Sequence, residues 1–499
     1  MNLPYISFIV AAALALGLVP MLARFARQIG LVDVPDNSRK LHTSAIPMVG
    51  GLATFLAVVC TAALGYQFYR EQLRLRPDDS LELSGLLIGS FILLLVGLVD
   101  DLWNLRGRQK LIGQIIAITA LILTGYQFDH FQCLGLRIEF GIFAVLVIYA
   151  WMLVAINSVN LLDGADGFAS TIGIVMSLAL GVMAIYQGKI VDAAISLGLA
   201  GALVGFLRYN FPPAKAYLGD SGSMLIGFVL GAMAIRCSFK QATAYALFAP
   251  IALLAIPLID TGAAIVRRRM TGRSIYTVDR GHLHHRLMKQ GYGPRVSLVW
   301  VALLCTMTAA GAVLTVVYQQ SEYAIVSIAI VMCVLLFARI FGLAEFQLVS
   351  NKALSIGRSM LGSSPGKATH VQSTVHVQGN RDWQEIWNQV CQFADEHQLN
   401  EVTMDLNVPW MHESFHATRR RAGSKKDSSR EWYIQLPLVV GNRLFGRIEV
   451  LGDKDGKFSH YDVVNDMLKI SADIEQSLGE AAADPAIISP EEVAVTVDS

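Results

Sequence analysis

Apolar runs of roughly 17–25 residues recur along this chain, the length a helix needs to cross the hydrocarbon core of a bilayer. They lie near 3–23, 46–66, 83–99, 110–127, 140–157, 168–186, 190–207, 222–236, 241–266, 297–318 and 323–342. In hydrocarbon, each backbone N–H and C=O has to bond within its own segment, so such runs fold as helices. Composition agrees: the chain is 54% apolar and only 16% charged, against about 25% charged in soluble domains. The expected fold is an all-α polytopic membrane protein with about eleven transmembrane helices, carrying a small C-terminal α+β cytoplasmic domain. A net charge of +1 and the lack of a long basic tract give no reason to expect a nucleic-acid partner. The six cysteines are scattered without C-x-x-C spacing, which argues against zinc and against a disulfide framework. The first run, Leu3 to Leu22, lacks a basic flank and a small-residue cleavage site, so it reads as a retained span.

Loop charge orients the spans, because Lys and Arg accumulate on the cytoplasmic side. One set of loops holds Arg24, Arg27, Arg39 and Lys40, then Arg106, Arg108 and Lys110, then Arg208 and Lys215. The same set ends with the basic stretch from Arg267 to Arg295. The opposite set holds fewer than half as many, among them Arg70, Arg137, Lys189 and Arg236. The first set is expected to be cytoplasmic, with the N-terminus outside and the C-terminus inside.

Composition shifts after about residue 345. The expected division is a transmembrane domain over 1–345, a linker over 346–368, a soluble α+β domain over 369–478 and an acidic disordered tail over 479–499. Val371, Val375 and Val377 predict a strand. Trp383, Ile386, Trp387, Val390 and Phe393 fall at helical spacing. Glu431 to Leu451 predicts a hairpin around Gly441-Asn442, and Val463 to Leu478 a closing helix. No catalytic constellation stands out in this part, which reads as a regulatory or interaction module.

The polar clusters that can carry chemistry all fall on the face assigned to the cytoplasm. Asn157 to Gly167 reads N-S-V-N-L-L-D-G-A-D-G between two apolar runs. A carboxylate at the centre of a membrane helix costs roughly 2.5–3.5 kcal/mol on insertion scales, so Asp163 and Asp166 belong at a boundary or in a polar cavity. The simpler reading is a glycine-rich loop with capping acids, but two asparagines accompany them. Asp100 and Asp101 end the third run; alone, they are equally a solvated helix end. Tyr217-Leu218-Gly219-Asp220-Ser221 opens the eighth run, where Asp and Ser are ordinary caps. The same geometry suits phosphate or a hard cation such as magnesium, which prefers oxygen ligands and shares them with substrate phosphates. Asp279-Arg280-Gly281-His282-Leu283-His284-His285-Arg286 lies in a basic loop, where anion binding is favoured over a metal cluster. Arg39-Lys40-Leu41-His42 precedes Pro47-Met48-Val49-Gly50-Gly51. Acids for magnesium and bases for phosphate, at one membrane face, point to phosphoryl transfer onto a lipid carrier.

In order, these motifs are R-K-x-H-x-x-x-I-P-x-V-G-G, D-D, N-x-x-N-L-x-D-G-x-D-G, G-D-S-G-S and D-R-x-H-x-H-H. The set resembles the polyprenyl-phosphate N-acetylhexosamine-1-phosphate transferases, over roughly residues 1–342. That family includes the undecaprenyl-phosphate GlcNAc-1-phosphate transferases and the phospho-MurNAc-pentapeptide translocases. The D-R-G-H-L-H-H-R and R-K-L-H forms resemble the GlcNAc-1-phosphate branch; Leu283 interrupts the three consecutive histidines of the other. The C-terminal part lies outside the pattern.

The resemblance implies that a UDP-N-acetylhexosamine donates its sugar-1-phosphate to polyprenyl phosphate and UMP leaves. Magnesium, with manganese as a substitute, would be held by Asp220 and Asn160. Asp100 would act as base on the lipid phosphate, supported by Asp101 and Lys110. Asn157, Asp163 and Asp166 would lie around the nucleotide and Tyr217 against the uracil. Lys40, His42, Arg280, His282, His284 and His285 would contact phosphates. The implied location is the inner membrane with a cytoplasmic site, and a second copy of the chain is a candidate partner. Other donors, UDP-MurNAc-pentapeptide or a modified acetamido sugar, are the alternative. A secondary transporter is a more distant one, because transporters place such acids nearer the midplane.

Overall fold

The computed structural model describes residues 2–33, 45–73, 77–126, 130–133, 136–139, 141, 143–239, 247–270, 281–338, 370–378, 383–408, 413–421, 431–440, 443–454, 458 and 460–482. The chain forms two compact units. One comprises Met1–Gly262 with His282–Ile340, and the other Ala263–Gly281 with Phe341–Ser499.

The first unit is helical. Its elements are α1 (Leu3–Ile29), the short pair β1 (Val32–Asp33) and β2 (Ile46–Pro47), then α2 (Gly50–Leu73), α3 (Pro77–Trp103) and α4 (Gly107–Leu123). A small hairpin, β3 (His130–Cys133) and β4 (Leu136–Glu139), precedes α5 (Phe143–Leu162), α6 (Phe168–Tyr186), α7 (Ile190–Asn210) and α8 (Gly219–Ala234). After α8 come a π-helical turn at Ile235–Phe239, α9 (Phe248–Leu253), α10 (Ala255–Met270, which belongs to this unit up to Gly262), α11 (Leu283–Lys289), α12 (Pro294–Tyr318) and α13 (Glu322–Phe337).

Among the described residues, eight helices are long and apolar enough to cross a membrane, fewer than the eleven expected. The run at 110–127 forms the 17-residue α4, and that at 323–342 the 16-residue α13. The run at 241–266 is broken at Leu254 between α9 and α10, part of it lying outside the described residues. The break has a physical reason: Pro257 lacks an N–H, and starting a new helix at Ala255 puts it in a first turn, where no intrahelical donor is needed. The multi-pass helical class stands.

α8 is the centre of this unit. The Gly219–Cys237 window is 94% buried, whereas that of α1 is 33% buried. Small residues let its neighbours close on it. A Cβ on Gly97 of α3 would lie 2.2 Å from Ser221 Cα, one on Gly51 of α2 2.4 Å from the Gly222 nitrogen, and one on Gly227 2.7 Å from Ala155 O of α5. At the far end of α8, buried Arg236 is met by three acids. It pairs with Glu82 of α3, with Asp192 of α7 at 2.7 Å and with Asp79 at 3.7 Å. A buried charge persists only when paired in this way.

The second unit contains a five-stranded antiparallel sheet made of β5 (His370–Gln378), β6 (Glu401–Val408), β7 (Glu413–Arg421), β8 (Glu431–Val440) and β9 (Arg443–Asp453). Its order is β5-β7-β6-β9-β8. Two helices, α14 (Gln384–Glu396) and α15 (His460–Ala482), accompany it. Trp383, Trp387, Val390 and Phe393 share a core with Val402, Met404, Leu406, Phe415 and Ile448. The strand at Val371–Val377, both helices and the β8–β9 pairing match the sequence reading; the Gly441-Asn442 turn itself lies outside the described residues. The β3–β4 hairpin and the strands β6 and β7 were not foreseen. β7 reads E-S-F-H-A-T-R-R-R, with too few apolar positions to signal a strand.

Candidate active site

The C-terminal end of α3, the first turn of α4 and the first turn of α8 meet around one lysine. Lys110 Nζ lies 2.5 Å from Asp100 Oδ2 and also pairs with Asp220. Two carboxylates brought together from separate helices would repel, and the ammonium between them removes that cost. Asp100 is buried and its other oxygen accepts the Leu105 N–H at 2.7 Å, so the carboxylate is fixed from both sides. Asp220 is the more open, with 28% side-chain exposure.

Asp101 points the other way. Its Oδ1 accepts the Asp220 N–H at 2.8 Å, and its Oδ2 accepts the Ser221 hydroxyl at 2.9 Å and the Ser221 N–H at 3.3 Å. It therefore caps α8 from a neighbouring helix, satisfying N–H groups that have no intrahelical partner. Gly219, at φ 74°, is the residue that lets the chain turn into this cap; a Cβ there would meet Asp101 Oδ2 at 2.6 Å.

From α5, Asn160 Nδ2 donates to Asp220 Oδ1 at 3.2 Å and to Ser223 Oγ at 2.9 Å. Asn157, one turn earlier, exchanges amide hydrogen bonds with buried Gln114 of α4 at 2.9 and 3.2 Å. Asn160 thus joins Asp220, whereas Asn157 ties α5 to α4.

The loop after α5 carries Asp163 and Asp166. Desolvation holds the Asp163 carboxyl well above the usual carboxylate range, and the carboxylates of Asp220, Asp101 and Asp166 push the same way. Asp166 Oδ2 accepts the Ala214 N–H at 2.8 Å, fastening the segment between α7 and α8. Asn210 secures the same segment: it accepts from Gly167 N–H at 3.1 Å and Ser170 Oγ at 2.8 Å, and donates to Ala216 O at 3.0 Å. Tyr217 follows. Its N–H donates to Pro47 O at 2.9 Å, and its carbonyl accepts the Gly50 N–H at 3.0 Å. Burial and the charges of Asp166 and Asp33 push its phenol up, so it stays neutral.

The histidines gather beside that loop. His284 lies 5.3 Å from Phe168 between ring centroids, and a Cβ on Gly164 would sit 3.4 Å from its ring. His285 lies 4.2 Å away between ring centroids, and the His282 ring is stacked parallel at 6.0 Å. Burial pushes the His284 imidazole down to about 4, so at neutral pH it is uncharged. His282 is the N-cap of α11 rather than a member of its face, and its Nδ1 is 2.8 Å from Asp260 Oδ2. Lys40, His42 and Arg280 lie outside the described residues.

Asp100, Asp101, Lys110, Asn160, Asp163 and Asp220 are thus brought together, with Asp166, Tyr217 and the histidines along the adjoining loops. Gln114, Asn210, Ser223 and Asp260 were not singled out from sequence. Gln114 and Asp260 had a usable signal, a lone polar residue inside an apolar run. Ser223 closes the G-D-S-G-S motif but had no role assigned to it, and Asn210 had no signal beyond its residue type.

Among the described residues no group of three His, Cys, Asp or Glu side chains converges to cage a metal. The donor set still fits magnesium, which is held by one or two carboxylates and completes its shell with water and substrate phosphates. Asp163, desolvated among three other carboxylates, is a group that a nearby cation would relieve.

The family model of glycosyl transferase family 4 matches residues 83–238. The chain is 33% identical over 301 residues to the probable undecaprenyl-phosphate N-acetylglucosaminyl 1-phosphate transferase of Bacillus subtilis (strain 168), covering 60% of this chain and 81% of that protein. It is 32% identical over 333 residues to the decaprenyl-phosphate N-acetylglucosaminephosphotransferase of Mycolicibacterium smegmatis, covering 62% and 81%. To the undecaprenyl-phosphate alpha-N-acetylglucosaminyl 1-phosphate transferase of Escherichia coli K12 it is 28% identical over 304 residues, covering 58% and 78%.

Proposed function

The chain belongs to glycosyl transferase family 4, and on that premise we propose that it transfers N-acetylglucosamine-1-phosphate from a UDP-linked donor to a polyprenyl phosphate in the membrane. An oxygen of the lipid phosphate attacks the phosphorus bonded to the sugar. The bond between the two donor phosphates breaks, and UMP leaves with the electron pair. The observation that carries this reading is the meeting of Asp100, Lys110 and Asp220 at one end of the helical unit, in a chain whose relatives bear that activity in their names. The loop-charge bias supports an inner-membrane enzyme with this end in the cytoplasm, where nucleotide sugars are made.

Asp220, with Asn160, would hold magnesium. When bound, the ion stabilises negative charge on the diphosphate. The protein's own residues do the rest. A phosphate monoester has a second pKa near 6, so at neutral pH the acceptor needs little help to ionise, and Asp100 takes any remaining proton. Lys110 offers its ammonium where phosphates would gather. Asp101 keeps Asp220 in register by holding the start of its helix. Asp166 and Asn210 set the approach to Tyr217, which stays neutral and is suited to lie against a base. Catalysis of this kind depends mainly on positioning and electrostatics.

The test is UMP release by purified full-length protein given UDP-GlcNAc, polyprenyl phosphate and magnesium. Turnover is expected, with loss on chelation and loss in Asp220→Ala at an unchanged melting temperature. No UMP from any UDP-N-acetylhexosamine, or full activity in Asp220→Ala, would overturn the reading.

A further inference from the structure

We propose that Asp260 is a positioning residue for His282, holding its imidazole so that Nε2 faces an anionic oxygen of the donor diphosphate; the role rests on the transferase reading above. Asp260 sits within α10, buried to 1% exposure, and a carboxylate buried that far persists only when its oxygens are paired. Both of its oxygens are committed to consecutive residues. Oδ2 lies 2.8 Å from His282 Nδ1, and Oδ1 accepts the Leu283 N–H at 2.8 Å. One carboxylate therefore fixes the ring and the start of the backbone turn that carries it.

The ring is held from a second direction. His282 stacks on His284 at 6.0 Å with the planes only 2° apart, and His284 is itself lodged against Phe168 and Gly164. Rotation about the Cβ–Cγ bond would break both the stack and the bond to Asp260. The proton on one imidazole nitrogen is set by the hydrogen bond that nitrogen makes. With Nδ1–H given to Asp260, Nε2 is the nitrogen left for a ligand. Contact between His284 and Gly164 carries the arrangement to the loop that bears Asp163 and Asp166.

A double-mutant cycle in the full-length chain tests this, read as UMP release with UDP-GlcNAc, polyprenyl phosphate and magnesium. Asp260→Asn and His282→Gln should each lower kcat about 10- to 100-fold, as loss of an orienting partner does elsewhere, with both KM values within about twofold. The double variant should be no slower than the slower single one, because Asp260 acts through His282. Asp260→Glu should recover part of kcat. Losses that multiply in the double variant overturn the proposal, as does wild-type kcat in Asp260→Asn. So does a loss in Asp260→Asn that is matched by a fall in melting temperature and left unrelieved by Asp260→Glu. A wild-type chain with no turnover overturns the transferase reading and this one with it. An active wild type with multiplying losses overturns this one alone.

Discussion

Asp101 caps the helix whose first turn holds Asp220, although the two are 119 residues apart in sequence. The adjacent acids Asp100 and Asp101 therefore have different tasks: one faces Lys110 and the other anchors a helix. Asp101→Ala should cost about 1 kcal/mol of stability, the usual worth of a cap. Displacing Asp220 by even an ångström should slow UMP release by about 100-fold. A variant that turns over at the wild-type rate would remove the anchoring role.

Gly97 is a point of close approach between α3 and α8. A methyl group there, 2.2 Å from Ser221 Cα, forces the two helices apart. Gly97→Ala should lose about 1–3 kcal/mol and much of the turnover. Gly17→Ala, where the new Cβ meets nothing within 4 Å, is the control and should keep both. Detergent melting temperatures and UMP release together check the pair.

Asp163 is a cost to the resting protein. Its folded-state pKa is raised, so its contribution is fully present below about pH 3.8 and is lost as pH rises through the folded value. Asp163→Asn should therefore melt higher than wild type at pH 7.5 in chelator, with the gap closing toward pH 4. Its turnover should fall. A melting temperature equal to wild type at both pH values would show that the carboxylate carries no such cost.

His284 gives the opposite pH dependence. Its folded value of about 4 lies below the ordinary 6.5, so the folded chain binds fewer protons than the unfolded one between those values. Stability is present above pH 6.5 and falls as pH drops toward 4, by on the order of 3 kcal/mol at most. His284→Gln should flatten the melting temperature between pH 7 and 5. An unchanged slope would assign the acid lability to other groups.

In the second unit, Trp387 is fully buried among Val390, Met404 and Phe415. Trp387→Ala should cost about 3–5 kcal/mol locally. Limited proteolysis of the full-length chain should then cut within 383–478 much faster than in wild type. Equal cutting rates would mean that this core does not hold the unit together.

The helices were legible because a bilayer demands long apolar runs, and the second unit's helices because Trp383, Trp387 and Phe393 repeat at helical spacing. The count of spans was not, because hydropathy does not see a break such as that at Leu254. At the site, residue type and motif order were enough to gather Asp100, Lys110, Asn160 and Asp220. They gave Asp101 only a supporting place beside Asp100, since only geometry reveals that its carboxylate spends its lone pairs on another helix's N–H groups. Nor could they see that Asn157 is absorbed by Gln114, or that Asp260 stands behind His282.

The Arg236 network has a consequence for how this chain tolerates change. α3 and α8 are pinned to each other twice, by Asp101 on the start of α8 and by Glu82 on Arg236 at its far end. Between the pins each helix runs roughly 24–28 Å. Adding or deleting one residue in either would turn everything beyond it by about 100°, and only one of the two attachments would survive. Substitutions along these helices can be absorbed by neighbouring side chains, but changes of length cannot. Insertions and deletions belong in connectors such as 319–321, between α12 and α13, where a helix has already let go.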